Sequence, residues 1–203
     1  MEDLKDFFSN KTLAIVGNGM NLYNKNNGEL IDGHDIVIRM NHIPMKNPKN
    51  EGKKTTIIAF TGGGRKNLNR KKLNRKKLYK KFDDNDLKIL ALNNNGLTKI
   101  KRDNKGWENY FYVGDHIKEY CTSQTEAKPS AGYLTIHYIN NHHKPKYVSV
   151  FGYDWKKTRS NWHPEVIKKD RNGDVISRHT HNWRKEEEIC KAIIKSNKWE
   201  LHP

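Results

Sequence analysis

Six short runs of apolar and β-branched residues constrain this chain more than any other feature: Thr12 to Val16, Ile36 to Met40, Thr55 to Phe60, Leu87 to Leu92, Tyr110 to Val113 and Tyr147 to Phe151. Each has the length of a buried strand, and the gaps between them leave room for helices. Ala131 to Asn141 follows Pro129-Ser130, with the serine in N-cap position, and Lys185 to Asn197 carries Ile189, Ala192 and Ile193 at helical spacing. The pattern predicts an α/β fold with a doubly wound sheet. A chain of 203 residues is expected to form one domain, residues 1–203, around one core.

Between the third and fourth runs lies a basic insertion at about 65–81, where Arg-Lys-Lys-Leu occurs twice, at Arg70 to Leu73 and Arg75 to Leu78. A period of five puts the two leucines on no common helix face, so the tract reads as a surface segment. With Lys+Arg 39 against Asp+Glu 23 and a formal net charge of +16, the chain favours anionic partners: nucleotides, nucleic acid or a lipid surface. Nucleic-acid binding through this tract and the aromatics Tyr79, Trp107, Tyr110 and Tyr112 is the competing functional class, but no nucleic-acid module accompanies them. Cys121 and Cys190 stand alone, without CxxC or zinc-ligand spacing, which points to a reducing compartment. Neither a signal peptide nor a run of about 18 apolar residues is present, so a cytoplasmic protein with at most peripheral contact to an anionic membrane is expected.

Val16-Gly17-Asn18-Gly19-Met20-Asn21-Leu22 directly follows the first run, where glycines allow close backbone approach and free N–H groups can meet a phosphate. The spacing is not GxGxxG, and the second run ends in Asn41 rather than in the acidic residue a dinucleotide fold uses for ribose, so NAD is disfavoured. Asn18 and Asn41 are expected side by side at the carboxyl edge of neighbouring strands, where an amide can donate and accept at once.

Ala14-Ile15-Val16-Gly17-Asn18-Gly19, Glu29-Leu30-Ile31-Asp32-Gly33-His34-Asp35, then Val37-Ile38-Arg39-Met40-Asn41 and Pro44, resemble in order and spacing the large sialylmotif of the eukaryotic-type sialyltransferase family. Lys128 to Leu134, Ile136-His137-Tyr138 and Val148 to Tyr153 resemble its small motif; Asn161-Trp162-His163 falls at its third motif, and His181 with Glu186 matches the very small one. The resemblance implies a single Rossmann-like sheet, a variant of the GT-A fold, and an inverting, metal-independent transfer of sialic acid, or a related acid such as Kdo, from CMP to a glycan or glycolipid acceptor. It implies that Gly17, Asn18, Gly19, Asn41, Ser130, Ala131, Gly132 and Gly152 form the CMP pocket, that His163 contacts the donor phosphate, and that His181 deprotonates the acceptor. No cofactor and no metal are implied, and the CMP-sugar is a substrate.

The sequence also departs from the family. Leu13 stands where a motif cysteine is usual and the small motif has no cysteine, so the disulfide that ties the two motifs has no counterpart. Pro164 follows His163 in place of an aromatic pair, and membrane anchor and stem are missing from the sequence, which suggests a shortened microbial or viral relative and leaves a catalytically degenerate CMP-sugar binder as an alternative. Imidazole suits the acid–base work because its ordinary pKa lies near neutrality, whereas Glu186 orients or caps nearby structure. His163, His179 and His181 lack a completing carboxylate or cysteine for a metal site, and Asp84-Asn85-Asp86 is expected at the amino edge, opposite the ligand.

Overall fold

The computed structural model describes residues 4–23, 25–41, 47–61, 87–103, 110–155, 168–169, 175–176 and 181–202. The basic tract, Asp84 to Asp86, Asn161 to Pro164 and His179 lie outside them. The described strands are β1 (Thr12–Val16), β2 (Ile36–Met40), β3 (Ile57–Phe60), β4 (Lys88–Ala91), β5 (Tyr110–Tyr112), β6 (Tyr147–Phe151), the short pair β7 (Lys168–Lys169) and β8 (Val175–Ile176), and β9 (Glu200–His202). All but β7 and β8, which pair with each other, form one parallel sheet in the order β5-β4-β3-β2-β1-β6-β9. The chain therefore walks outward from β1 to β5 and returns on the far side of β1 as β6. Their carboxyl ends, aligned through the pair Val16 and Phe151, form the topological switch point at which open parallel sheets bind ligands.

The helices are α1 (Leu4–Phe8), α2 (Gly28–Asp32), α3 (Pro48–Glu51), α4 (Asn94–Asp103), α5 (Asp115–Thr125), α6 (Ala131–His142) and α7 (Trp183–Ser196), with a 3-10 turn at Met20–Leu22. Alternate strand residues face opposite layers. Leu13, Ile15, Ile38, Val148 and Val150 join Phe8 and the inward residues of α5, α6 and α7 in the larger core. Ala14, Val16, Val37 and Phe151 pack with Leu22 and Ile31 on the other face, and Ile89 and Ala91 with Ile100 of α4. Helices thus cover both faces, the doubly wound arrangement, which is why β2 is buried at every position and is apolar but for Arg39. No helix among the described residues is long and apolar enough to cross a membrane.

Much of the stretch between β1 and β3 is scaffold. The Asp35 carboxyl accepts from Thr12 N and Oγ1, both at 2.8 Å, which ties the amino ends of β1 and β2 and holds its pKa below the usual range, the backbone N–H contributing most. The Asp32 carboxyl accepts from the N–H groups of Lys53 and Lys54, and buried Arg39 donates to the carbonyls of Glu51 and Lys54 and to Thr55 Oγ1. His34 Nδ1 donates to the Leu30 carbonyl at 2.8 Å, leaving Nε2 to accept from Ser149 Oγ at 2.9 Å. Among the described residues, Cys121 and Cys190 are free and buried, and desolvation pushes the Cys121 thiol up to about 12 and raises the Cys190 thiol as well.

Candidate active site

The turn after β1 is pinned to the end of β6. Gly17 N donates to Phe151 O at 2.7 Å and Gly19 N to Gly152 O at 2.8 Å. These two N–H groups are therefore already engaged, which corrects the expectation that they are open to a phosphate. The close approach also excludes side chains: a Cβ on Gly17 would stand 2.5 Å from Gly152 O, and Gly152, at φ +67°, would set one 2.8 Å from Leu22.

The two asparagines stand just past the carboxyl ends of the neighbouring strands β1 and β2, as expected. Asn18 Nδ2 points at Met40 O at 3.5 Å, a long contact that orients the amide, and its Oδ1 is buried with no donor among the described residues. Asn41 is left-handed at φ +55°, a conformation asparagine tolerates better than most side chains; its N–H donates to Ala59 O at 2.6 Å and its Oδ1 faces Thr61 Oγ1 at 3.4 Å.

The second wall is the amino end of α6, which runs antiparallel to β6 and so begins at the ligand edge of the sheet. Ser130 caps it, with Oγ accepting from Tyr133 N at 3.1 Å, which leaves the N–H groups of Ala131 and Gly132 in the unsatisfied first turn. The Tyr153 ring, just past β6, joins the two walls: it would lie 2.9 Å from a Cβ on Gly17 and 2.9 Å from one on Gly132, and its hydroxyl donates to Gly132 O at 3.2 Å.

Three side chains at the start of α7 hold the loop before α6. Asn182, the α7 N-cap, donates to Thr125 O at 3.1 Å while accepting from Lys185 N. Glu186 is buried and accepts from Ser130 N at 2.8 Å and Ser130 Oγ at 2.6 Å; desolvation pushes its carboxyl up to about 7 against the pull of those bonds. His181 Nδ1 lies 2.5 Å from the Lys128 carbonyl. A carbonyl only accepts, so the neutral ring carries its proton on Nδ1 and the basic lone pair on Nε2. The Trp183 ring packs edge-on against the imidazole at 4.9 Å between centroids.

Gly17, Asn18, Gly19, Asn41 and Gly152 are thus collected at the switch point, and Tyr153 connects them to Gly132, Ala131, Ser130 and, through Lys128, to His181. His163 lies outside the described residues. Sequence reasoning counted Lys128 and Tyr153 in the small motif without giving either a role, and passed over Asn182; Asn182 carries an N-cap signal, whereas Lys128 acts through a backbone carbonyl that any residue supplies. Among the described residues no three His, Cys, Asp or Glu side chains group as metal ligands.

Comparison with known proteins places this arrangement. The human type 2 lactosamine alpha-2,3-sialyltransferase is 45% identical over 62 residues, 29% of this chain and 19% of that protein. The rat CMP-N-acetylneuraminate-beta-1,4-galactoside alpha-2,3-sialyltransferase is 54% identical over 51 residues, 24% of this chain and 14% of that protein. The matched stretches therefore span a fifth or less of the length of these relatives. A mammalian sialyltransferase solved with Gal-beta-1-3GalNAc-ortho-nitrophenol shares the fold at a TM-score of 0.63 and 17% identity, over 98% of this chain and 71% of that one. A Campylobacter jejuni sialyltransferase solved with the substrate analogue cytidine-5'-monophosphate does so at a TM-score of 0.58 and 14% identity, over 96% of this chain and 79% of that one. The sialyltransferase model of glycosyltransferase family 29 matches residues 6–198, a span that takes in both walls of the switch-point site and His181, and the chain belongs to that family.

Proposed function

We propose that the protein transfers sialic acid, or a related acidic keto sugar such as Kdo, from its CMP donor to a hydroxyl of a glycan or glycolipid acceptor, with inversion and without a metal. The observation that carries this reading is the contact between His181 Nδ1 and the Lys128 carbonyl, which presents Nε2 as a base of fixed tautomer beside a nucleotide-type switch point.

In the proposed reaction Nε2 takes the acceptor hydroxyl's proton as that oxygen bonds to the anomeric carbon from the face opposite CMP. The bond from that carbon to the phosphate oxygen breaks, and its electron pair leaves on CMP. The imidazolium so formed is stabilised by the Lys128 carbonyl at Nδ1. The first-turn N–H groups of Ala131 and Gly132 and the positive end of α6 favour the departing phosphate, and His163 is assigned to the same task. Peripheral contact of a cytoplasmic enzyme with an anionic membrane, through the basic tract, accompanies this reading and is supported by the net charge of +16.

The test is turnover of CMP-Neu5Ac and CMP-Kdo with a panel of glycan acceptors in chelator-treated buffer, with the anomeric configuration of the product read by NMR. Transfer from one donor with inversion is expected. A strict requirement for manganese, or retention of configuration, would contradict the reading.

A further inference from the structure

We propose that Trp183 is a positioning residue for the transfer reaction, acting through His181 by fixing the plane of its imidazole and so the direction of Nε2; this rests on the reading of His181 as the base. The hydrogen bond from Nδ1 to the Lys128 carbonyl sets which nitrogen carries the proton but leaves the ring plane loose. A carbonyl accepts over a broad arc, and the last torsion of a histidine side chain has shallow wells. A second contact is needed to aim Nε2, and Trp183 supplies it, with its ring centroid 4.9 Å from that of the imidazole and the planes 61° apart. That is the ordinary geometry of an edge-to-face aromatic pair.

The fold explains how the two rings come together. Trp183 is the first residue of α7, and helical side chains lean toward the amino end, so its ring projects back over the residues before the helix, where His181 stands. Asn182, between them, is held on both sides: its Oδ1 accepts from Lys185 N and its Nδ2 donates to Thr125 O, so the backbone joining the rings is tied to α7 and to the end of α5. Trp183 also stands apart from the other apolar residues of this segment. Ile189, Cys190, Ile193, Ile194 and Trp199 all join the larger core, whereas Trp183 belongs to none of the apolar clusters among the described residues. A large half-buried ring that does not build the core, and that lies against the base, is accounted for by its effect on the base. Proton transfer demands close alignment of donor and acceptor, and a misplacement of about 1 Å costs on the order of 10²-fold in rate.

The experiment compares the full chain as wild type, Trp183→Leu, which loses the ring, and Trp183→Phe, which keeps an aromatic edge. Nitrogen-15 NMR of the neutral His181 imidazole reads its tautomer, and single-turnover transfer from CMP-Neu5Ac or CMP-Kdo reads the chemical step, with CMP affinity and acceptor KM measured on each protein. Wild type is expected to hold the proton on Nδ1. Trp183→Leu is expected to gain the Nε2-protonated form and to transfer roughly 10–100-fold more slowly, with CMP affinity and acceptor KM within about threefold of wild type. Trp183→Phe is expected to keep both the tautomer and, within about threefold, the rate. Wild-type His181 protonated on Nε2 overturns the proposal without recourse to any variant. So does transfer by Trp183→Leu at the wild-type rate, a Trp183→Phe protein more than tenfold slower than wild type, or a loss confined to acceptor KM, which would make the indole a platform for the acceptor sugar. If wild type transfers from neither donor, the reading of His181 as the base falls and the proposal with it, an outcome distinct from intact transfer that Trp183→Leu leaves undiminished.

Discussion

Glu186 and Ser130 form the clasp between the two halves of the site: the buried carboxyl of one, on the first turns of α7, accepts from both the backbone N–H and the hydroxyl of the other, the cap of α6. The carbonyl that orients His181 belongs to Lys128, two residues before that cap, so the clasp and the base share one short loop. Removing one partner leaves the other buried and unsatisfied. Glu186→Ala and Ser130→Ala are each expected to lower stability by about 1–3 kcal/mol, and the double variant by less than their sum, as a double-mutant cycle in urea would read.

The same clasp sets a pH dependence. Burial raises the Glu186 pKa from 4.5 to about 7, so the folded state binds the extra proton and the group's contribution to stability is full below about pH 4.5. That contribution falls as pH rises through 7. Urea midpoints at pH 5 and pH 8 should show Glu186→Gln losing part of the wild type's decline, on the order of 1–3 kcal/mol. An equal decline in both proteins would place the titration elsewhere.

Gly17→Ala and Gly152→Ala drive a methyl into backbone or into Leu22, whereas Gly33, at φ −72° with its nearest neighbour 3.4 Å from a built Cβ, has room. The first two are expected to cost 2 kcal/mol or more, by overpacking and, at Gly152, a strained φ, while Gly33→Ala stays within about 1 kcal/mol. Thermal melts of the three variants decide this.

Asn41 has two separable features, a left-handed backbone that needs no side chain and an amide whose oxygen faces Thr61. Asn41→Gly should keep the melting temperature near wild type and weaken CMP binding about tenfold, whereas Asn41→Ala should lose both. CMP affinity unchanged in Asn41→Gly would remove Asn41 from the donor pocket.

What could be read from sequence follows burial. β1, β2 and β6 match their apolar runs residue for residue because both faces of the central strands are covered. β9 escaped notice because it is three residues long, at the sheet edge and polar at two of them, and α5 because only Ile117, Cys121 and Thr125 turn inward. α7 begins at Trp183, two residues earlier than the apolar spacing suggested, because Asn182 caps it. In the site, residue types legible by resemblance, Asn18, Asn41, Ser130, Gly152 and His181, are brought into one connected group. The engagement of the Gly17 and Gly19 N–H groups was illegible, because their partners are carbonyls far along the chain.

The central claim is that His181 acts as the base through Nε2, held by the Lys128 carbonyl at Nδ1. The most direct test is single-turnover transfer from the preferred CMP donor by wild type and His181→Ala, with CMP affinity measured on both. A loss of 10²–10⁴-fold in the transfer rate with CMP affinity within about threefold of wild type is predicted, the range expected for removal of a general base. Transfer by His181→Ala within tenfold of wild type would contradict the account.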